Sequence, residues 1–312
     1  MTSLNAWCGG MLQPLARWLP GCGADVLCVQ EVTWTPGYDG WVTYTDADRT
    51  SWQRASLFDD LRRALPLHQA SFLTCDTGPV ECEDGRSRRQ HFGIATLVAP
   101  TLAIVGTEAA FVHGAFAHHD AWPHEDRGRI AHAVRVADAS GRHATVAHLH
   151  GVRMAAGKGD TPQRRRQAEC LADLVGRVRR PGDVVVVAGD LNVLPDSASF
   201  EVLGRVGLTD LVGTADTRTS AYAKPVRHAG YLLVSDLDAV AAFQILERPE
   251  VSDHRPLVLD LRMAPRSTVG VPGPAAGWPQ VIPVEEPTVN ARRPGVPAAC
   301  HRGRAARPPA PA

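Results

Sequence analysis

The strongest fold signal in the chain is the stretch Asp183-Val184-Val185-Val186-Val187-Ala188-Gly189-Asp190-Leu191-Asn192. Four consecutive valines predict a strand that is buried on both faces, as in the interior of a layered protein. Asp190 and Asn192 follow directly, where the strand should give way to a loop. An Asp-x-Asn sequence in that position is most often a turn or a helix cap, so it does not indicate a site on its own.

The segments on both sides of this strand predict many further strands and few helices. Six further apolar runs predict strands: Asp25–Val29, Gly93–Ala99, Ile130–Val136, His143–Leu149, Tyr231–Val234 and Pro256–Leu261. Helical patterns cover Leu12–Leu19, Ser56–Leu65, Pro162–Val178 and Ser197–Val206. A turn at Ser140-Gly141 joins two of the strands into a hairpin. This mixture predicts a layered α/β sandwich.

Polar residues stand at the ends of these strands, where a rigid scaffold presents functional groups. Glu31 follows one strand, Asp253 and His254 precede the last one, and Asn5 precedes the first helix. His148 and His150 are two residues apart in one strand. Strand alternation therefore puts both histidines on the same face.

These residue types together suit phosphoester cleavage. Asn5, Glu31 and Asp253 offer the oxygen ligands that a hard cation such as Mg²⁺ or Mn²⁺ prefers. His254 and Asp190 can move a proton or orient water, and His148 and Asn192 can donate hydrogen bonds to a phosphate oxygen. Each residue alone would more often be structural, and it is their joint occurrence that favours a site.

Composition narrows the class of protein. Lys plus Arg and Asp plus Glu are balanced at 33 each, which disfavours a broad, sequence-independent grip on nucleic acid. Seven cysteines without a Cys-x-x-Cys pair indicate buried thiols in a reducing compartment. The N-terminus has no signal-like segment, and no stretch reaches the roughly 20 apolar residues of a membrane span. We therefore expect a cytoplasmic monomer without a membrane anchor.

The composition changes near Met263. From Ala264 to Ala312 the chain is rich in Pro, Gly, Ala and Arg and has little periodic hydrophobicity. Such a segment cannot bury enough apolar surface to offset the entropy of ordering, so residues 264–312 are expected to be a disordered tail. The folded domain is predicted to span residues 1–263.

The motifs and their order resemble those of the endonuclease/exonuclease/phosphatase superfamily, the DNase-I-like hydrolases, over about residues 4–262. The resemblance is carried by Leu4-Asn5-Ala6-Trp7, Asp25-Val26-Leu27-Cys28-Val29-Gln30-Glu31-Val32, Gly93-Ile94-Ala95, Val146-Ala147-His148-Leu149, Gly189-Asp190-Leu191-Asn192 and Ser252-Asp253-His254-Arg255-Pro256-Leu257. It implies a four-layered α/β sandwich in which two mixed β-sheets pack face to face with helices outside.

The resemblance also implies roles for the matched residues and a metal cofactor, Mg²⁺ or Mn²⁺. Asn5 and Glu31 would hold the metal, and Asp253 would complete or support that site. Asp190 would align or deprotonate the attacking water, with Asn192 beside it. His148 and His254 would contact the scissile phosphate, one of them as general acid or base, and His150 is an offset alternative to His148. Members of the superfamily cleave DNA, RNA, inositol phosphates, sphingomyelin and small nucleotides, so the phosphoester substrate, possibly nucleic acid or nucleotide, stays open.

One position departs from the family pattern. Relatives usually carry an Asp that orients the catalytic histidine just before the strand that precedes Ser-Asp-His, and Gly230 stands there in this chain. Asp236 or Asp238 could take over that role. If neither does, the alternative is a catalytically weakened binding module of the same fold.

Two further segments are candidates to face the substrate. Arg218 and Tyr222 lie before the Gly230 strand and are expected to bind substrate. The sequence Gly157-Lys158-Gly159-Asp160 resembles a phosphate-binding P-loop only briefly, because Gly159 stands where Ser or Thr is required. We interpret residues 151–160 as a flexible loop that follows the His148 strand and could face the substrate.

Overall fold

A computed structural model of the chain describes residues 1–262, which form two β-sheets and a small number of helices. The larger sheet contains β1 Thr2–Asn5, β2 Val26–Trp34, β3 Trp41–Thr45, β4 Thr50–Arg54, β5 Gln69–Cys82, β6 Ser87–Val98, β8 Ala117–His118, β14 Val240–Ile245 and β15 Leu257–Leu261. The smaller sheet contains β7 Ala103–His113, β9 Arg129–Ala137, β10 His143–His150, β11 Val184–Asp190, β12 Thr209–Asp210 and β13 Gly230–Val234. The helices are α1 Leu12–Trp18, α2 Leu57–Ala64, α3 Pro162–Val178 and α4 Ser199–Gly204.

Both sheets are mixed. The larger has the order β14-β15-β1-β2-β6-β5-β3-β4, with β8 beside β5, and only β1–β2 and β5–β8 are parallel. The smaller has the order β12-β13-β11-β10-β9-β7, and its one parallel pair is β10–β11. The predicted fold class, two mixed sheets in an α/β sandwich, is therefore confirmed.

The core lies between the sheets and under the helices. Val26, Cys28 and Val98 of the larger sheet belong to the same buried cluster as the valines of β11 and the inner face of α3. A second cluster packs Leu15 of α1 and Leu61 of α2 against the larger sheet. Every residue of β11 is buried, as the run of four valines predicted, because it has neighbours on both faces.

The helix that begins at Pro162 starts where its capping sequence predicts. The Thr161 hydroxyl accepts a hydrogen bond from the backbone N–H of Arg164 at 3.2 Å. Its buried positions, Ala168, Leu171, Leu174, Val175 and Val178, lie along one face. That stripe covers the smaller sheet and fixes the direction from which the chain enters β11.

All six cysteines within residues 1–262 are free, and Cys8, Cys28, Cys75 and Cys82 are buried. No helix in this part of the chain has the length and apolar character that crossing a membrane requires. The segment interpreted as a disordered tail, residues 264–312, lies outside the described residues.

Candidate active site

The two sheets bring their polar strand ends together at one edge of the sandwich. Asn5 ends β1 and Glu31 lies within β2, both in the larger sheet, whereas Asp190 ends β11 in the smaller one. The amide Nδ2 of Asn5 donates to Glu31 Oε1 at 3.1 Å and to Asp190 Oδ2 at 3.1 Å. One asparagine thus joins two carboxylates that are distant in sequence.

The backbone around this cluster takes up unusual conformations. Among residues 1–262, five non-glycine residues have positive φ, and four of them adjoin the cluster: Trp7, Cys8, Glu31 and Asn192. Glu31, with φ 54°, lies where the β2–β6 register shifts between Val29 and Val32, so a bulge turns its side chain toward Asn5. Such conformations persist only where the surrounding fold enforces them and often mark functional sites.

The residue before Asp190 must be glycine. Gly189 has φ 132°, and a Cβ there would lie 2.2 Å from the carbonyl oxygen of Leu149. This close approach packs β10 tightly against β11. Asp190 itself accepts a hydrogen bond from the N–H of Asn192 at 3.0 Å, so the turn-forming role of Asp-x-Asn is present alongside the site. The Asn192 amide donates to Gly151 O at 3.3 Å.

The segment before β15 completes the cluster. His254 Nε2 lies 3.4 Å from Asp190 Oδ2 and 3.8 Å from Asp253 Oδ1. Arg218 Nη1 donates to Asp253 Oδ2 at 2.7 Å, and its guanidinium stacks 4.0 Å from the Tyr222 ring centroid. The structure therefore brings both predicted substrate-binding residues, Arg218 and Tyr222, to this side of the cluster.

The two histidines of β10 share a face, as alternation predicted, but they reach different places. His150 Nε2 lies 3.7 Å from Glu31 Oε1, and its buried Nδ1 has no hydrogen-bond partner within residues 1–262. His148 lies deeper between the sheets, with contacts to Gln30 Nε2 at 3.2 Å and to Thr96 Oγ1 at 2.8 Å.

The expectation that His148 contacts the phosphate is therefore corrected. Its side chain is 1% exposed and both ring nitrogens are occupied, so a substrate has no access to it. His150, two residues nearer the strand end and about 6.6 Å farther along, occupies the position beside the carboxylates.

Asp236 and Asp238 do not compensate for Gly230. Both are exposed in the turn between β13 and β14, where Asp236 accepts a hydrogen bond from the N–H of Asp238 at 3.0 Å. Gly230 lies at the opposite end of β13, directly paired with Asp190. The carboxylate nearest to His254 is instead Asp190, at 3.4 Å.

The electrostatics of the cluster favour ionised carboxylates beside neutral histidines. Burial alone would raise the pKa of Glu31, but His150, Arg49 and His254 lower it to about 2. The pKa of Asp190 is likewise held well below its usual range against burial, chiefly by His254 and Lys158. Burial lowers the pKa of His150 to about 4 and that of His254 to about 3.

Asp253 behaves differently from the other two carboxyls. Burial raises its pKa to about 7, which Arg218 opposes and the neighbouring Glu31 and Asp190 charges reinforce. Three carboxyls thus crowd one buried region. A divalent cation would offset this repulsion, because it supplies positive charge where like charges meet.

The donor set fits a hard cation only in part. No group of three or more His, Cys, Asp or Glu side chains within residues 1–262 is arranged as a complete metal site. Mg²⁺, however, is commonly held by one or two carboxylates, with waters and substrate oxygens filling the rest. Glu31 fits that pattern and lies beside the Asn5 side chain, whose Nδ2 faces it at 3.1 Å. The Asn5 amide oxygen accepts a hydrogen bond from the N–H of Trp7 at 3.0 Å and keeps a second lone pair for a cation, whereas Asp253 is turned toward Arg218.

Several cationic residues around the cluster were not predicted as site residues from the sequence. Arg49 acts electrostatically on Glu31 from an exposed position, and Lys158 acts on Asp190 from the loop after β10. Arg129 is buried beside His150, and its Nε and Nη1 have no hydrogen-bond partner within the described residues. No motif marks these positions, because they reach the site only through the folding of distant segments.

Comparison with known proteins agrees with this architecture. A family model described as Endonuclease/Exonuclease/phosphatase family matches residues 2–254. A search of curated proteins found no match.

Among solved structures, an endonuclease/exonuclease/phosphatase from Bacteroides vulgatus aligns with a TM-score of 0.56 at 16% identity, covering 84% of this chain and 98% of its own. The mannosyl-6-phosphatase Bt3783 of Bacteroides thetaiotaomicron aligns with a TM-score of 0.54 at 14% identity, covering 84% and 98%. The human Nocturnin catalytic domain aligns with a TM-score of 0.53 at 16% identity, covering 85% and 93%. These structures share the fold of this chain. With the family match over residues 2–254, the chain belongs to the endonuclease/exonuclease/phosphatase family, whose members hydrolyse phosphoester bonds.

Proposed function

We propose that the chain is a divalent-metal-dependent phosphoester hydrolase whose active site is the cluster around Asn5, Glu31, Asp190 and His254. The observation that carries the proposal is the junction of two carboxylates through Asn5, with hydrogen bonds of 3.1 Å to Glu31 and to Asp190. This junction supports the proposal because one carboxylate could hold a cation while the other acts on water.

Glu31 and the Asn5 oxygen would hold the cation, with Asp253 in support. A bound Mg²⁺ or Mn²⁺ would neutralise phosphate charge and stabilise the leaving oxygen. Asp190 is ionised at neutral pH and would accept a proton from the attacking water as the new P–O bond forms and the ester P–O bond breaks. Asn5 holds this carboxylate in place through Nδ2.

The histidines and arginine would orient the phosphate. His254 lies beside Asp190, and His150 Nε2 lies 3.7 Å from Glu31 Oε1, so the two rings could donate to phosphate oxygens. Arg218 pairs with Asp253 and stacks on the ring of Tyr222. The 3.4 Å contact between His254 and Asp190 weakens the argument for an inactive binding module, because it gives that histidine a carboxylate neighbour.

The substrate class that we favour is a small phosphoester. The chain has no net positive charge, which argues against a long nucleic acid as the main substrate. Two proteins that share the fold, each at 14% identity, are described as a mannosyl-6-phosphatase and a 2',3'-cyclic phosphatase, and these names are compatible with a small phosphoester as substrate.

The test is turnover of p-nitrophenyl phosphate and bis(p-nitrophenyl) phosphate with Mg²⁺, with EDTA, and after Mg²⁺ is restored. We expect hydrolysis that EDTA abolishes and Mg²⁺ restores. Glu31→Gln should lower kcat/KM by at least about 100-fold with the melting temperature preserved, because it removes a ligand charge at constant volume.

Glu201→Gln is the matched control for Glu31→Gln. Glu201 is exposed on α4, and its substitution should leave turnover unchanged. Metal-dependent turnover that survives Glu31→Gln would show that the active site has been placed wrongly. Absence of turnover on both substrates by the native protein would contradict the proposed function itself.

A further inference from the structure

The loop after β10 crosses directly over the catalytic edge of the smaller sheet. In that sheet β11 lies between β10 and β13, and Asp190 ends β11. The loop leaves β10 at Gly151, whose N–H donates to Asp190 O at 2.6 Å. It reaches the other neighbour where the Lys158 ammonium donates to His228 O, two residues before β13 begins. The loop therefore spans the end of β11.

This loop is held by buried polar contacts. Arg164 of α3 is 1% exposed, and its guanidinium donates to the carbonyl oxygens of Gly157 and Gly159, on both sides of Lys158. Asp160 accepts hydrogen bonds from Ser197 Oγ and from the N–H of Ala198 at 2.9 Å. The expected flexible loop is therefore anchored at Gly157 and Gly159 by the two terminal nitrogens of the Arg164 guanidinium.

Lys158 is also unusual in the composition of the chain. Of the 33 basic residues, only Lys158 and Lys224 are lysines, and the other 31 are arginines. Lys158 therefore presents a compact ammonium with three donors, whereas nearly all other basic residues of the chain present a planar guanidinium. An ammonium suits a tetrahedral anion approached from one point, whereas a guanidinium suits bidentate contacts.

The Lys158 ammonium has more N–H donors than acceptors around it. Its one hydrogen-bond partner within the described residues is the His228 carbonyl oxygen, so two N–H donors remain. The groups that act on it electrostatically are the acids Asp190 and Asp253 and the cations Arg218 and Arg164. Burial lowers its pKa to about 8, with Asp190 opposing that shift, so the amine is mostly charged at neutral pH.

We propose that Lys158 is a substrate-binding residue that contacts a non-bridging phosphate oxygen, presented by a loop that Arg164 holds across the end of β11. The proposal deepens the proposed function and rests on it for the identity of the site. A purely structural lysine would need only its bond to His228 O. That bond leaves unexplained why a partly buried ammonium reaches the segment just before β13, whose first residue, Gly230, pairs directly with Asp190.

The test measures binding of inorganic phosphate to the full chain, in Mg²⁺, from the rise in melting temperature with phosphate concentration. Lys158→Met should weaken phosphate binding about tenfold, since a hydrogen bond to a charged group is lost. Lys158→Arg should restore binding only in part, because it keeps the charge but not the compact ammonium. Arg166→Met, which removes a charge from a side chain that is 73% exposed on α3, is the control and should bind phosphate normally.

A second readout needs no variant. Acetic anhydride labels free amines, and mass spectrometry can compare Lys158 with the exposed Lys224 in one sample. Saturating phosphate should protect Lys158 and leave Lys224 labelled. Equal labelling of Lys158 with and without phosphate would overturn the proposal, as would a Lys158→Met protein that loses stability but keeps the same phosphate affinity. Phosphate binding is measured without turnover, so its outcome is separate from failure of the hydrolase proposal.

Discussion

At the scale of single residues, Gly230 occupies the position where the family resemblance led us to expect an aspartate. Its N–H donates to Thr217 Oγ1 at 3.2 Å, and it pairs directly with Asp190 across β13 and β11. A Cβ there would meet Leu257 Cδ1 at 3.5 Å and Thr217 Cβ at 3.9 Å, which are ordinary contacts. Neither its φ nor the available space requires glycine, so a side chain can be introduced.

Gly230→Asp should therefore raise kcat on the better of the two aryl phosphoesters by about tenfold. Directly paired residues share a face of the sheet, so the new carboxylate would lie on the same side as Asp190 and could accept a ring N–H of His254. That contact would favour one tautomer and raise the pKa of His254, which burial now lowers to about 3. The measurement is the pH–rate profile of both proteins.

Gly230→Ala is the control for the added Cβ. It should leave kcat unchanged, because only the carboxylate can orient the histidine. An unchanged profile in Gly230→Asp would mean that Asp190 already fills this role. A loss of stability shared by both variants would indicate that packing against Leu257, and not catalysis, constrains the position.

At the scale of elements, β10 shows how one strand serves both the core and the site. Its inner face carries His148 and His150, and only the second lies near the carboxylates. His148 belongs to a series of hydrogen bonds that runs from Gln30 through His148, Thr96 and His132 to Thr107. The series is buried as far as His132 and ends at the exposed Thr107. Since the Gln30 amide nitrogen can only donate, each ring accepts at Nδ1 and donates at Nε2. Both histidines are therefore neutral in the fold.

The neutral His132 in this hydrogen-bonded series makes the free energy of unfolding depend on pH. Burial lowers the pKa of His132 to about 4 in the fold, against about 6.5 when the chain is unfolded. The contribution of the neutral ring is complete above pH 6.5 and is lost as the pH falls from there toward 4, because the unfolded state then binds the extra proton. At pH 5.5 the loss for this residue should be about 1 kcal/mol.

Urea unfolding at pH 7.5 and pH 5.5 would measure this effect. His132→Gln keeps a donor and an acceptor but does not titrate, so its free energy of unfolding should fall by about 1 kcal/mol less than that of the native protein over the same pH change. The same pH dependence in both proteins would show that His132 is not held neutral by the fold.

At the scale of the whole molecule, the sandwich is complete within the described residues. The last strand, β15, pairs with β1 and β14, and the N–H of Arg262 donates to Ala239 O at 2.8 Å. No residue of the proposed active site comes after His254. The catalytic edge therefore depends on the two sheets, since each contributes part of the cluster.

Deleting residues 264–312 should accordingly leave the fold and the activity intact. Their composition predicts little core, so we expect the melting temperature to change by no more than a few degrees and kcat/KM to stay the same. Differential scanning calorimetry and the same phosphoester assay would measure both. A larger drop in melting temperature would show that this segment packs on the domain.

The fold class and seven of the strands could be predicted from the sequence, and so could most of the residues that the structure brings together in the cluster. Continuous apolar runs such as Val184–Val187 indicate buried strands, and the polar residues of the cluster stand next to such runs in the sequence. The long strands β5 and β7 were missed. β7 is an edge strand whose exposure alternates, and its small and polar residues give only a weak periodic signal.

The side-chain contacts within the cluster could be learned only from the tertiary structure. It put His150, not His148, beside Glu31, because the contact depends on how far β10 extends past the larger sheet. It gave His254 the neighbour Asp190 in place of a residue at 230 or in the β13–β14 turn. The tertiary structure also brings Lys158 across the end of β11, to the carbonyl oxygen of His228. Strand periodicity tells which face a side chain occupies, but distances between sheets arise from packing, which no local pattern encodes.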